Sequence, residues 1–203
     1  MEMDAQHIDK KRFEAFIDAV FAIVITFLVL EFKVPHIKGG DDLMLKGALS
    51  EMIPLLFCYI ISFFTIMTIW LDHHQMFLFI KRIPKKYAVL NFIFLLSVSA
   101  LPFATGLAGE YITSKFAVMF FLSIIFIMNI LFAILFIYPI KNNLIAPEDL
   151  AKFNEGATIA KIGIVLEIIS IPMVLVNTVL GMSISFLVLC LHLLKIYIRP
   201  SHR

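Results

Sequence analysis

Charged residues are scarce in this chain. Asp, Glu, Lys and Arg make up 16% of its 203 residues, against about 25% in an average soluble domain. Hydrophobic residues make up 61%, against roughly 45–50% in such a domain, and the mean hydropathy is +0.97. Because so few charges cannot cover a surface that faces water, the composition excludes a soluble globular domain and a disordered segment. Most of the chain is therefore expected to lie in lipid.

Cysteine and net charge are also low. The two cysteines, Cys58 and Cys190, both lie within apolar runs. Their number and the absence of a C-x-x-C spacing exclude a disulfide framework and indicate buried thiols. The formal net charge is +2, which is too small for a nucleic-acid-binding surface, so no nucleic acid is expected as a partner.

Long apolar runs are abundant, and they predict an all-α integral membrane protein with a single six-helix domain over residues 1–203. A spanning helix needs about 20 mostly apolar residues. The predicted helices cover about residues 13–32, 52–79, 87–109, 116–140, 157–176 and 179–197. The boundary between the last two rests on Asn177, Thr178 and Gly181, which form a weak turn signal, and five helices is the alternative.

Basic residues are distributed unevenly between the predicted loops. With six spans, four of the 17 Lys and Arg residues fall on one side, namely Lys33, Lys38, Lys46 and Lys115, and the remaining thirteen fall on the other. Since cytoplasmic loops carry the excess of basic residues, both termini are predicted to be cytoplasmic, in a plasma or inner membrane. An odd number of spans would divide the basic segments between the two sides.

The first helix carries one apolar stripe. At 100° per residue, Phe16, Ile23, Phe27 and Leu30 fall on one face, with Thr26 at its edge. Asp18 falls on a different face. A charged group inside a membrane span points to function by default, but a carboxylate near a helix start also gains from the helix dipole. A structural role for Asp18 is the interpretation we favour.

Polar residues of two further helices are predicted to lie at the depth of Asp18. The second helix ends near the segment 70–74, Trp-Leu-Asp-His-His, and the third begins near Asn91. Because lipid offers no hydrogen bonds, we expect Asp18, Asn91 and one of the two histidines to form a cluster. Arg12 either closes this cluster or faces the mouth of the helix bundle.

Residues 12–18, Arg-Phe-Glu-Ala-Phe-Ile-Asp, resemble the R-x-x-x-F-S-D signature of the transmembrane protein 175 family of potassium channels. Arg12, Phe16 and Asp18 match the signature, whereas Ile17 stands where the family usually has Ser. Residues 70–77 resemble the family's W-x-x-H-H-x-x-F pattern, and Asn91 with residues 101–105 resembles its third helix. The resemblance covers about residues 12–105.

The resemblance implies a homotetramer of single-repeat subunits, the prokaryotic type, whose four first helices line a central pore. It places the hydrophobic constriction at Ile23, with further apolar rings at Phe27 and Leu30, and Phe27 departs from the more usual Leu. The structural network that it implies consists of Arg12, Phe16, Asp18, Trp70, His73 and Asn91. Ile17 removes a hydroxyl from this network.

An apolar pore blocks ions where it loses its water, and the chain has no T-V-G-Y-G carbonyl filter. Selectivity would then come from dehydration at the apolar rings, assisted by the Thr26 hydroxyl. Together with the resemblance, these features predict a leak-type channel for potassium and other monovalent cations, with no cofactor and no enzymatic activity. Glu31, at the outer end of the first helix, either concentrates cations there or is a solvated helix end.

Two other functions were weighed against the channel. A proton-coupled secondary transporter would use Asp18, His73 and Glu167 as a relay, although no repeated halves with broken helices are visible. A metal site or a hydrolase would use the segment 72–74, but adjacent helical residues point 100° apart and no zinc-ligand spacing occurs, so no metal is expected. Glu167 is interpreted as a protonated or hydrogen-bonded structural group.

Overall fold

The computed structural model describes residues 7–37, 39 and 41–198, except for the side chains of residues 7, 152, 154–162 and 195–198. Lys38, Arg199 and Arg203, which enter the count of basic residues, lie outside the described residues. The helices are α1 (Lys10–Leu28), α2 (Asp42–Glu51), α3 (Ile53–Phe79), α4 (Lys85–Ser99), α5 (Leu101–Glu110), α6 (Lys115–Lys141), α7 (Leu150–Val176) and α8 (Thr178–Ile198). Two short strands, β1 (His7–Ile8) and β2 (Ile83–Pro84), complete the elements.

Helix starts coincide with capping residues in the sequence. The Asp9 side chain accepts a hydrogen bond from the Arg12 backbone N–H at the start of α1, and Asp41 accepts one from Leu43 at the start of α2. Ser114 caps α6 in the same way. Each of these oxygens satisfies one of the N–H groups that a helix start leaves without a partner.

Four helical stretches are long and apolar enough to cross a membrane, namely Lys10–Glu31, Ile53–Phe79, Lys85–Glu110 and Lys115–Lys141. They correspond to the first four predicted spans. Helices α7 and α8 contain shorter apolar stretches, Gly163–Val176 and Thr178–Leu194, and pack against each other with only Asn177 between them. Six crossings per subunit remain a prediction.

Two of the predicted helices differ from those observed. The span predicted over 87–109 consists of two helices, α4 and α5, with a break at Ala100. Pro102 lies in the first turn of α5, and because proline lacks an N–H and clashes with the carbonyl four residues earlier, it interrupts a continuous helix. The helix predicted over 157–176 begins earlier, at Leu150, directly after a 3-10 turn at Pro147–Asp149.

The N-terminal segment and the α3–α4 connection lie on the same side of the bundle. Strand β1 pairs with β2 in antiparallel register, His7 opposite Pro84 and Ile8 opposite Ile83. Lys10 Nζ also donates to the Phe77 carbonyl at 2.7 Å. We call this side the basic face, because the α3–α4 connection carries Lys81, Arg82, Lys85 and Lys86. The shared side agrees with the predicted loop distribution.

Helix α3 lies at the centre of the bundle and packs against α1, α5, α7 and α8. Helix α1 packs against α3, α4 and α5. Its buried face consists of Phe13, Ile17, Phe21, Val24 and Leu28. The spacing of three or four residues between these side chains is that of one helical face, and it leaves the opposite face of α1 without cover in the subunit.

Candidate pore helix and its polar contacts

The apolar stripe predicted on α1 lies on the exposed side of the helix. Ile23, Phe27 and Leu30 are 50%, 52% and 68% exposed in the subunit, and Phe16 is exposed to the same degree as Ile23. The opposite face of the same helix is buried in the core. One face of α1 therefore fixes it to the subunit, and the other presents a row of large apolar side chains to whatever surrounds the subunit.

Thr26 is exposed beside this stripe, as the sequence predicted. Its Oγ1 donates to the Ile23 carbonyl, three residues earlier, at 2.8 Å. The hydroxyl proton is therefore used within the helix, and only the oxygen lone pairs are available to a cation. Such a bond to a preceding carbonyl is the usual way in which a helical Thr satisfies its donor.

Asp18 is bound by a tryptophan of α3. Trp70 Nε1 donates to Asp18 Oδ1 at 2.9 Å. The Trp70 ring stacks on His74, with ring centroids 5.9 Å apart and an interplanar angle of 25°. This contact joins α1 to α3 near the basic face.

His73 makes a second, separate polar contact. Its Nε2 lies 2.9 Å from Asn91 Oδ1, and Asn91 Nδ2 donates to the Tyr87 carbonyl at 2.8 Å. Because the Asn91 amide nitrogen is already a donor, its oxygen is the acceptor and the His73 Nε2–H is the donor. Both side chains are buried, and the His73 ring stacks on Phe77 at 4.5 Å. This contact joins α3 to α4.

The predicted polar network is thus divided into two pairs. Asp18 pairs with Trp70, and His73 pairs with Asn91; all four residues belong to the network that the resemblance implies. Arg12 is exposed, and its side chain makes no hydrogen bond or ion pair with the residues that the structure describes. Ile17, the departure from the family signature, is 0% exposed and belongs to the apolar core. An apolar side chain therefore fills the position where a serine hydroxyl would need a partner.

Phe16, which the resemblance includes in the network, acts through its ring. It contacts the Phe92 ring edge-on, with centroids 5.8 Å apart. Phe13, on the buried face of α1, contacts the same ring at 5.7 Å. Phe92 of α4 therefore lies against two consecutive turns of α1 and helps to set its rotation.

Glu31 turns towards its own subunit. It is half-buried in the 3-10 turn that follows α1, and a Cβ added at Gly106 of α5 would collide with its carboxylate. Glu31 lines a cavity of about 620 Å³, whose other charged residues are Lys33, Glu51 and Glu110. The carboxylate therefore belongs to a polar vestibule beside α5, on the side of the bundle opposite the basic face.

Glu167 lies in a different part of the subunit. It is 1% exposed, and its two carboxylate oxygens accept hydrogen bonds from Ser170 Oγ and Ser185 Oγ, both at 2.8 Å. The structure therefore does not bring Asp18, His73 and Glu167 together. Each has its own hydrogen-bond partners, which belong to different helix pairs.

Asp72 makes a contact that sequence reasoning missed. Its Oδ2 lies 2.8 Å from His192 Nε2 of α8. The two residues are separated by 120 positions in the chain, and no local pattern indicates the pairing. Asp72, His73 and His74 bind different partners, and within residues 7–37, 39 and 41–198 no three His, Cys, Asp or Glu side chains form a group that could hold a metal ion.

Comparison with known proteins identifies relatives for the first half of the chain. The family model described as "Endosomal/lysosomal potassium channel TMEM175" matches residues 12–102. A protein named a potassium channel in Streptomyces collinus is 40% identical over 101 residues, which is 50% of this chain and 48% of the relative. The Gallus gallus protein named endosomal/lysosomal proton channel TMEM175 is 33% identical over 113 residues, covering 53% of this chain and 23% of the relative.

These sequence matches thus span at most about half the length of the curated relatives. A solved structure extends the likeness to nearly the whole chain. The crystal structure of a lysosomal potassium-selective channel TMEM175 homolog from Chamaesiphon minutus superimposes with a TM-score of 0.82 at 27% identity, and the match covers 92% of this chain and 97% of that one. Residues 12–102, which carry the R-x-x-x-F-x-D motif and the aromatic–histidine segment of α3, match the TMEM175 family model, and the overall architecture is similar to that of a solved TMEM175 homolog.

Proposed function

We propose that this protein is the subunit of a leak-type cation channel that favours potassium. Four copies assemble around a central axis, and the exposed face of α1 from each copy lines the pore. The observation that supports this most directly is the row formed by Ile23 and Phe27 on the uncovered side of α1 and by Leu30 in the 3-10 turn that follows it. The potassium-channel names of two prokaryotic relatives point to the same activity.

The proposed constriction is an apolar ring. Four copies of Ile23 form its first layer, and Phe27 and Leu30 form two further layers towards the side that bears Glu31. A narrow apolar ring excludes water, so an ion crosses it only after losing part of its hydration shell. Potassium holds its water less tightly than sodium does, and the ring therefore favours potassium while still passing other monovalent cations. Thr26 offers an oxygen at the edge of this layer.

The two polar pairs serve to hold the pore helix in position. The Trp70–Asp18 bond connects α1 to α3, and the His73–Asn91 bond connects α3 to α4. In lipid, where apolar contacts between helices gain little from the hydrophobic effect, hydrogen bonds and close packing determine how helices associate. The pairs therefore set the rotation of α1 and, with it, the direction in which Ile23 points.

We place the channel in the cell membrane, with both termini in the cytoplasm. Support comes from the basic face, where β1 pairs with β2 beside the Lys- and Arg-rich α3–α4 connection. Loops rich in Lys and Arg remain on the cytoplasmic side during insertion. In this orientation the vestibule beside Glu31 opens to the outside, where carboxylates attract cations.

Ion flux into liposomes under opposing potassium and sodium gradients, with no proton gradient, tests the proposal. The wild type is expected to pass potassium rapidly and to favour it over sodium. Asp18→Asn is expected to retain this flux, since the amide oxygen still accepts the Trp70 hydrogen bond. A proton-coupled transporter would instead show slow, saturable flux that depends on a proton gradient and is abolished in Asp18→Asn, and this result would contradict the channel.

A further inference from the structure

Glu167 lies deep inside the helical bundle and away from α1. It belongs to the apolar stretch Gly163–Val176 of α7 and is almost completely buried. Ser170 of the same helix donates to Oε2, and Ser185 of α8 donates to Oε1. Two neutral hydroxyls thus satisfy both carboxylate oxygens, but neither hydroxyl supplies a charge.

No described positively charged side chain neutralises this carboxylate. Among the described side chains, the cavity that adjoins Glu167 is lined by one other titratable residue, His192 of α8. His192 binds Asp72 of α3 at 2.8 Å. Helix α6 contributes the amide of Asn129. An ionised carboxylate without a counter-charge in an apolar interior is costly, so the surroundings favour the form of Glu167 that carries a proton.

A small cavity connects Glu167 with His192. It has a volume of about 30 Å³, which is enough for one water molecule. Its polar lining residues are Thr65, Thr68, Asn129, Glu167, Ser185 and His192. A buried water needs two to four polar partners, and this lining offers them between the carboxyl group and the imidazole.

The cavity leads towards the basic face. On α8, His192 lies about 10 Å beyond Ser185, at 1.5 Å per residue. Its partner Asp72 belongs to the part of α3 that approaches β2. A series of polar groups therefore runs from Glu167 to the His192–Asp72 pair, with space for one water molecule between them.

We propose that Glu167 is a proton-binding site that exchanges its proton with the basic face. On release, the carboxyl O–H bond breaks and the proton passes to the water in the cavity, and from there to the His192 imidazole, which is held by Asp72. Uptake reverses these steps and restores the neutral carboxyl group. Because the site involves α3, α6, α7 and α8, it is independent of the pore proposed at α1.

Infrared spectroscopy of the purified protein in lipid tests the protonation at neutral pH. The wild type is expected to show the carbonyl stretch of a protonated carboxyl group, and Glu167→Gln is expected to lose this band. Glu14→Gln, which changes a carboxylate at the surface of α1, is the matched control and should retain the band. A band that persists unchanged in Glu167→Gln would overturn the assignment.

A second variant keeps the test decisive if Glu167→Gln does not fold. Ser185→Ala removes one hydrogen bond to the carboxyl group and should move the band to higher frequency without abolishing it. An unchanged frequency would contradict the site.

The route of exchange is tested by transferring the protein to D2O, which shifts the carboxyl band as deuterium replaces the proton. This shift is expected to be several-fold slower in His192→Phe than in His36→Phe, which alters an exposed histidine. Equal rates would exclude exchange through His192.

Discussion

Trp70 Nε1 and Asp18 Oδ1, 2.9 Å apart, join the exposed helix α1 to the central helix α3. Asp18 precedes Ile23 by five positions, which is about 140° around a helix at 100° per residue. Asp18 is itself exposed, so the bond holds a flank of α1 beside its buried face against α3 and leaves Ile23 pointing away from that contact. A single side-chain contact thus relates the polar motif of α1 to the direction of its apolar stripe.

Coupling between Trp70 and Asp18 can be measured with a double-mutant cycle. Trp70→Phe removes the donor, and Asp18→Ala removes the acceptor. We expect each single variant to lower the free energy of unfolding, with a coupling of about 1 kcal/mol because one hydrogen bond is lost in both. Denaturation in detergent provides the measurement. Effects that add to within about 0.3 kcal/mol would show that the two residues act independently.

Asn91 is expected to contribute more to stability than a comparable asparagine at the surface. Asn91→Leu leaves the buried His73 Nε2–H without its acceptor, so we expect a loss of about 1–3 kcal/mol in the free energy of unfolding. Asn142 is the matched control, since its Nδ2 donates to the carbonyl four residues earlier, as Asn91 does, but it is exposed. Equal losses in Asn91→Leu and Asn142→Leu would contradict the role of the His73 bond.

Ile17 is expected to be a packing residue. Ile17→Ser restores the family's usual residue but removes a side chain that is completely buried, and we expect a loss of about 2 kcal/mol or more from the space left behind. Ile23→Ser on the exposed face of the same helix should change stability much less. Thermal denaturation distinguishes the two variants. An unchanged or higher midpoint for Ile17→Ser would show that the new hydroxyl finds a partner.

Gly106 is expected to position Glu31. Because a Cβ at Gly106 would collide with the Glu31 carboxylate, Gly106→Ala should displace this flexible side chain and gain less stability than the roughly 1 kcal/mol that alanine gives over glycine inside a helix. Glu31→Ala in the same chain should restore the full gain. Gly47→Ala, where a Cβ meets no atom within 4 Å, is the control. Failure of Glu31→Ala to compensate would contradict the contact.

Helical faces and membrane-spanning segments were predictable from the sequence, because they depend on patterns within one helix. The prediction that Ile23, Phe27 and Leu30 share one face follows from 3.6 residues per turn, and all three side chains are exposed in the subunit. The first four spans follow from apolar length. The break in the third span was also indicated by the sequence, because Pro102 is expected to kink or end a helix, although the bounds of that span were set by its apolar length.

Pairings between distant segments were not predictable in this way. Asp18, His73 and Asn91 were expected in one cluster because they share a depth, but depth does not determine rotation. Asp18 binds Trp70, which the family resemblance placed in the same network, and His73 binds Asn91. The bond between Asp72 and His192 depends on how α3 and α8 pack. Such contacts are determined by how the helices pack, and they leave no local pattern in a single sequence.

The pore proposal depends most directly on Ile23. We would measure potassium and sodium flux into liposomes for Ile23→Ala beside Ile127→Ala, which shortens an isoleucine of α6 that is 43% exposed in the subunit. Ile23→Ala should raise the total flux and reduce the preference for potassium, because a smaller side chain widens the apolar ring and keeps it wet. Ile127→Ala should leave both unchanged. Unaltered flux and selectivity in Ile23→Ala, from correctly assembled protein, would contradict a pore lined by α1.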